Sequence, residues 1–411
     1  MKADKTVVVI GGGAAGFFAA ITCAEANPNL KVIILEKSGK LLSKVRVSGG
    51  GRCNVTHACF DPTELVKNYP RGGRELLGPF HVFSPKDTIE WFESRGVKLK
   101  VEDDGRMFPT TDDSSTIVNC LISTAENASI EIKMNSQVHS IHRTENNLFE
   151  LGLADDQKIT CAALIIASGG SAYLKGFDCL QGTGHAIIEP VPSLFTFNIP
   201  ANSITNLMGI SVDAAQIKIK GTKFINEGPL LITHWGMSGP AVLKLSSGAA
   251  RKLSEMNYQF SIQVKWLIQF SEEDMRSSLN KLRKDLAKKK VSSSNPFHLP
   301  KRLWEYLLDK SLTNAEKEWA QLNNDELRKL NSVLIADEYS INGKTTFKEE
   351  FVTCGGIALK EVDFKTMQSK VMPGLYFAGE VLDIDALTGG FNFQAAWTTG
   401  YIAGKSASQN I

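Results

Sequence analysis

The chain has 411 residues, 43% of them hydrophobic and 22% charged, which suits a globular protein of two or three domains with substantial cores. A formal charge of +2 supplies no field that would draw nucleic acid or an acidic membrane surface, so neither is expected as a partner. The seven cysteines are scattered and form no CxxC pair, which argues against a disulfide framework or a zinc site and for free thiols in a reducing, cytoplasmic compartment.

Val7 to Ala24 is uncharged, follows Lys2 and Lys5, and ends in Ala24-Glu25-Ala26, so it imitates a signal peptide. Gly11, Gly12, Gly13 and Gly16 fall inside it, where an apolar helix would not tolerate them. The better reading is a strand over Thr6–Ile10, a helix over 14–26 and a second strand over 31–35, a β-α-β unit. A glycine-rich stretch follows at Ser48 to Gly51. Ser84-Pro85-Lys86-Asp87 opens a helix that runs through Trp91 and Phe92 and ends near Gly96. Residues 130–166 read as a meander of short strands, with turns at Glu145-Asn146-Asn147 and Asp155-Asp156. Its last strand, 163–167, is wholly apolar and runs into Ser168-Gly169-Gly170. His185 is expected in a helix after Gly184, in a structural role.

Alternating strands dominate from about Val191-Pro192 to Phe270, as in 216–220 and 259–265. Ser271-Glu272-Glu273-Asp274 caps a helix that enters the basic run 281–290, which reads as a solvated face because acids flank it and aromatics are missing. Residues 300–334 are helix-rich, with a break near Leu312. Buried-strand character returns at 351–353 and 375–378, and a helix over 393–403 closes the chain. The order α/β, β, α, α/β describes one parallel-sheet domain interrupted by an insertion. The expected boundaries are 1–192 with 346–411 for the discontinuous domain, 193–270 for a β-rich insert, and 271–345 for its mainly helical part.

Three blocks carry chemistry. Gly11-Gly12-Gly13-Ala14-Ala15-Gly16 fits GxGxxG between a strand and a helix. Gly11 permits the tight turn, Gly13 the approach of a pyrophosphate, and Gly16 close packing of helix on strand. Glu36 lies 20 residues on, at the end of the second strand, where a carboxylate accepts hydrogen bonds from an adenosine ribose and disfavours a 2′-phosphate. FAD and NAD share this half-site. The second block, Gly379-Glu380 followed by Gly389-Gly390-Phe391-Asn392 and a helix, offers an acid for a polyol and amides at a helix start. It suits a flavin, although an ordinary strand-turn-helix also fits. The third, Ser48-Gly49-Gly50-Gly51-Arg52-Cys53-Asn54, would let backbone lie against a planar ligand, with Ser48, Arg52 and Asn54 as donors for phosphate or ring oxygens. A surface loop fits it equally. Cys53 and Cys354 are read as packing thiols. His234, in Thr233-His234-Trp235-Gly236, is the one candidate proton donor outside these blocks, set against a role in which the turn only locks the insert in place.

Together these blocks resemble the bacterial BaiN/YhiN-like flavoproteins, the NAD(P)/FAD-dependent or aminoacetone-oxidase-family enzymes, over nearly the whole chain. The resemblance rests on VVVIGGGAAG at the start, SGGGRCNVTH at 48–57, GRMFPT at 105–110, LIIASGG and QGTGHAI at 164–187, and LITHWGMSGPAVLKLSS at 231–247. At the end it rests on VTCGGIALKEVDFKTMQSK and GLYFAGEVLDIDALTGGFNFQAAWTTGYIAG. Phe391 stands where tyrosine is common, and His57 where asparagine often follows. The resemblance implies an α/β, Rossmann-like FAD-binding domain of the glutathione-reductase type, a two-dinucleotide-binding fold, interrupted by a β-barrel-like insert and a small helical subdomain. It implies FAD held by the GxGxxG turn, Glu36 and Lys37, the Ser48–Asn54 loop and Val138. It extends the site to Ala167, Ser168, Gly169 and Gly170, and to Gly379, Glu380, Asp383 and the 389–392 segment. It further implies an oxidoreductase that passes hydride from NADH or NADPH, a transient visitor, through FAD to an unsaturated or carbonyl small molecule. One branch of the family reduces a double bond in oxidised bile acids. An amine oxidase that uses oxygen and a non-enzymatic, redox-responsive flavin binder stay open as alternatives. Substrate, donor and oligomeric state are not legible.

Overall fold

The computed structural model describes residues 5–154, 157–312, 314–345 and 352–411. The chain divides into two compact units, Met1–Ser193 with Lys348–Ile411, and Leu194–Phe347.

The first unit is built on a mainly parallel sheet. Its strands are β1 (Thr6–Ile10), β2 (Lys31–Leu35), β3 (Glu131–Lys133), β4 (Ala163–Ile166) and β5 (Leu375–Phe377), in the order β5-β4-β1-β2-β3. Two short antiparallel strands, Val362–Asp363 and Gln368–Ser369, extend the β5 edge. β1 and β4 are buried along their whole length and β2 at all but its first residue. That explains their unbroken apolar sequences, because helices cover both faces of such a sheet. The 130–166 region is therefore not one meander. Its first strand pairs parallel with β2 and its last parallel with β1, while Val138–Arg143, Phe149–Leu153 and Lys158–Cys161 form a separate antiparallel sheet. The turn expected at Asp155-Asp156 lies outside the described residues.

Helix α1 (Ala14–Ala26) follows β1, and α2 (Phe391–Gln409) closes the chain. α1 is buried almost all round, so its sequence lacks an amphipathic stripe. The two helices approach through glycine. A Cβ added at Gly400 would stand 2.7 Å from the Ala15 carbonyl oxygen, and one at Gly404 would stand 2.2 Å from that of Ala19. Phe18 of α1 packs among Phe83, Trp91 and Trp397 beside this seam. The helix Pro85–Glu93 starts at the expected capping box, with Ser84 and Asp87 satisfying each other's backbone.

The second unit holds a seven-stranded antiparallel sheet. Its order is Asp337–Asn342, Gln259–Lys265, Ser211–Ile219, Ile225–Thr233, Gly236–Ser238, Thr196–Asn198 and Lys344–Thr345. The expected alternation at 216–220 and 259–265 falls on central strands of this sheet. The same unit carries the helices Glu272–Asp285, Lys301–Ser311 and Asn324–Ile335. The first has the expected Ser271/Asp274 capping box and ends before the basic run does. Trp266, Trp304 and Trp319 fill this unit's core.

Alanine for glycine inside a helix ordinarily adds up to about 1 kcal/mol of stability. At Gly404 the sign should invert, because the new methyl meets backbone that cannot move aside. Gly404→Ala is expected to lose about 1–3 kcal/mol in urea unfolding, as overpacking does. Unchanged or increased stability would show that the seam has slack.

Candidate functional site

The carboxyl ends of four adjacent parallel strands bring the predicted residues together. Past the strand ends the ladder continues in backbone bonds: Gly11 N to Leu35 O (2.8 Å), Ala167 N to Ile10 O (2.8 Å), and Ala378 N to Ile166 O (2.9 Å). Glu36 N likewise donates to Lys133 O at 2.8 Å. The GxGxxG turn, Glu36, the 167–170 turn and Gly379-Glu380 therefore leave the sheet side by side. An edge of this kind is where open α/β sheets take ligands.

Steric room singles out the glycines of these turns. Gly11 has φ +113°, and a Cβ there would stand 2.3 Å from the Ala167 carbonyl oxygen. A Cβ on Gly16 would overlap the Gly11 carbonyl at 1.9 Å, so helix and turn touch through that hydrogen. A Cβ on Gly13, Gly50, Gly51 or Gly169 would meet no protein atom within 4 Å, which leaves room for another molecule against those backbones. Gly13 is the N-cap of α1 in extended conformation and no side chain caps the helix, so the amides of Ala14, Ala15 and Gly16 open its positive end. Gly379 (φ +74°) seats against Ala15, its projected Cβ 2.8 Å from the alanine methyl, and Gly170 lies beside Glu380.

Glu36 is already partly engaged. One carboxylate oxygen accepts from Gly12 N at 2.8 Å, and the other accepts from Ser38 N and Ser38 Oγ, both at 2.8 Å. A carboxylate offers about four acceptor positions, so about one remains for a ribose hydroxyl. Lys37 is exposed beside it. Val138 is buried two residues past Ser136, whose N–H donates to Glu36 O at 2.8 Å. Next in sequence, a cleft of about 600 Å³ is lined by Lys40, Leu41, Lys44, Arg46, Ile122 and Met134, cations around an apolar floor. Lys44 also forms an ion pair with Glu380, 336 residues away. Sequence spacing gave no sign of that pair.

The Ser48–Asn54 stretch is the end of a helix, Ser43–Gly51, whose torsions leave the helical range at Ser48, Gly49 and Gly50. The side-chain donors expected here have partners within the protein. The Arg52 guanidinium lies 3.9 Å from the Phe108 ring centre and bonds Glu102 and Asp112, while Ser48 Oγ donates to Val45 O. With its amide oriented by its neighbours, Asn54 accepts from Gly390 N and donates to Thr56 O, each at 3.0 Å. Cys53 is buried at φ +62°, and burial pushes its thiol up to about 12, which keeps it protonated and unreactive. Cys354 is likewise buried, in the strand Val352–Ile357.

The start of α2 is held from several sides. Asn392 Oδ1 accepts from Ala386 N (2.9 Å) and its Nδ2 donates to Ala386 O (3.2 Å). Tyr69 Oη donates to Phe391 O at 2.6 Å, and the Phe391 ring stacks on His57 at 4.6 Å. Thr56, Thr88 and Thr398 all bond the buried Gln394 amide. Gly389 fits under the Phe391 ring, and Gly390 starts the helix at φ +90°. Asp383 is buried, with its N–H donated to Ile357 O. Two residues on, the buried Asp385 takes a two-pronged contact from Arg71 and a bond from Ser193 Oγ (2.6 Å). Burial nonetheless holds its carboxyl above the usual range against the pull of Arg71.

On the second unit, His234 is exposed at the turn between Ile225–Thr233 and Gly236–Ser238, edge-on to Trp235 at 4.4 Å. His185 is not helical. Gly184 (φ +75°) ends a 3-10 segment, and His185 lies between it and the strand Ile187–Ser193. Its ring is bracketed by Thr183 Oγ1 (2.8 Å) and Ser369 Oγ (2.7 Å). Among the described residues no cluster has the makings of a metal site, and no helix is long and apolar enough to cross a membrane.

A family model described as HI0933-like protein Rossmann domain matches residues 5–406. A 3-dehydro-bile acid delta(4,6)-reductase of Clostridium scindens is 28% identical, with 98% of each chain covered. A ribosomal RNA dihydrouridine synthase of Escherichia coli is 29% identical over 97% of this chain and 98% of its own. Among solved structures, a 3-ketosteroid-delta4-(5alpha)-dehydrogenase from Rhodococcus jostii RHA1 has the same fold, with a TM-score of 0.51 and 13% identity over 99% of this chain and 98% of that one.

Burial lowers the His185 pKa below its ordinary 6.5, so the folded state favours the neutral ring. That stability is whole above pH 6.5 and drains away as pH falls through the lowered folded value. His185→Gln cannot titrate. Its deficit in melting temperature relative to wild type should therefore shrink between neutral and acid pH. A constant deficit would contradict the assignment.

Proposed function

Since this chain belongs to the HI0933-like Rossmann family, we propose that it is an FAD-dependent reductase acting on a carbon–carbon double bond conjugated to a carbonyl. The observation that carries this reading is the meeting of four strand ends. It sets a helix N-terminus, an acid with about one acceptor position to spare and two glycine turns side by side. The donor set fits FAD: the amides of Ala14–Gly16 suit a pyrophosphate, Glu36 a ribose hydroxyl, and Glu380 with Lys44 the polyol and phosphates between. Bound there, FAD would accept hydride from NADH or NADPH and pass it to the β-carbon of the substrate. The opening of α2, held by Asn392, Tyr69 and Gln394, has no side-chain cap, and its amides would favour negative charge on a flavin ring bound against them. His234 carries no step in this reading.

Two relatives guide the substrate class. A 3-dehydro-bile acid with a Δ4 double bond is an enone, and dihydrouridine is uridine reduced at a bond conjugated to its ring carbonyl. The shared feature is an electron-poor alkene that accepts hydride at the carbon remote from the carbonyl and a proton at the nearer one.

The purified protein is expected to be yellow, to bleach anaerobically with NADH or NADPH, and to regain colour on adding a 3-oxo-Δ4 bile acid or uridine-containing ribosomal RNA, with two hydrogens added to the product. Glu36→Gln is expected to weaken FAD binding about tenfold or more, the worth of a hydrogen bond to a charged group. A colourless protein that does not take up FAD would overturn the reading. So would a bleached flavin that returns only with oxygen.

A further inference from the structure

The modest charge of the whole chain conceals a division. Leu194–Phe347 carries 21 Lys and Arg against 15 Asp and Glu, a formal +6, and the remainder of the chain carries 25 against 29, a formal −4. Much of the positive charge in the second unit is neutralised in place. Lys220 pairs with Glu338, Lys290 with Glu316, Lys310 with Asp337 and Lys317 with Glu326. The end of the Glu272–Asp285 helix and the turn after it differ. Lys281, Lys284, Lys288 and Lys289 are all exposed, and among the described residues none has a carboxylate within ion-pair reach.

A spacing of three residues puts Lys281 and Lys284 on one face of the helix's last turn, and Lys288 and Lys289 follow in the turn beyond it. The helix dipole accounts for cations in the last turn. It does not account for two more beyond the Leu286 cap, where the field has ended. Asp285 is the one acid between Lys281 and Lys289. Leu282 and Leu286 turn the other way and pack on the core. The exposed face is therefore charged without an apolar side chain to enter a bilayer and without an aromatic ring on which a base could stack. A face of this kind suits the sugar–phosphate chain of RNA, which is held through its charges without sequence preference.

We propose that the Lys281–Lys289 face docks RNA by its phosphate backbone. The inference rests on the reductase reading and selects, between the two carriers of the conjugated alkene, a uridine within RNA.

The test uses the full-length protein and a fluorescently labelled RNA hairpin with uridines in its loop, titrated at a series of KCl concentrations. The comparison is the variant Lys281→Gln, Lys284→Gln, Lys288→Gln, Lys289→Gln. Wild type should bind with an affinity that falls steeply with salt. The variant's log–log salt slope should be shallower by about 3, four phosphate contacts at about 0.7–0.9 each. Its flavin spectrum and its turnover of a small cyclic enone should match wild type, because no flavin-binding residue is touched. Equal slopes for the two proteins would overturn the proposal. So would no salt-dependent RNA binding by wild type, or a preference for phosphatidylserine vesicles over the hairpin. Enone turnover reads the reductase proposal separately: RNA binding without turnover would sink that reading and leave the docking face standing.

Discussion

Everything at the candidate site hangs on the register of β5, β4, β1 and β2. Four backbone hydrogen bonds continue the ladder past the last strand residues, so each exit turn is fixed against its neighbour. A slip of one residue in any strand would reverse its side chains and carry its turn away from the others. The unbroken apolar sequences of these strands do not set that register, since both faces are buried; the backbone bonds and close glycine contacts at their ends do.

Close packing makes the arrangement rigid. Gly11 against Ala167, Gly16 against Gly11, Gly379 against Ala15, and Gly400 and Gly404 against α1 leave no space for a methyl group. These glycines form a chain of contacts from the first turn through the exit of β5 to the last helix. That is a physical reason why the beginning and end of the sequence act as one unit although a separate unit is threaded between them.

What could be read from sequence was local. The GxGxxG turn, Glu36, the Ser84 and Ser271 capping boxes and the apolar strands each carry their signal within a few residues, or within one β-α-β unit. What could not be read depends on partners hundreds of residues apart. Lys44 meets Glu380, Arg71 meets Asp385, and Gln394 gathers Thr56 and Thr88 from two distant segments. The same limit hides the partners of Arg52, Ser48 and Asn54, which Glu102, Asp112, Val45 and Gly390 engage. His185 was misplaced because a glycine before a polar residue suggests a helix start, whereas this glycine sits left-handed and ends one.

The most direct test of the account is a crystal structure of the protein with FAD. It should place the pyrophosphate against the amides of Ala14–Gly16, an adenosine ribose hydroxyl on Glu36 and the flavin ring toward the start of α2 at Gly390–Asn392. A dinucleotide bound elsewhere, or one that leaves the Gly389–Asn392 segment untouched, would contradict it.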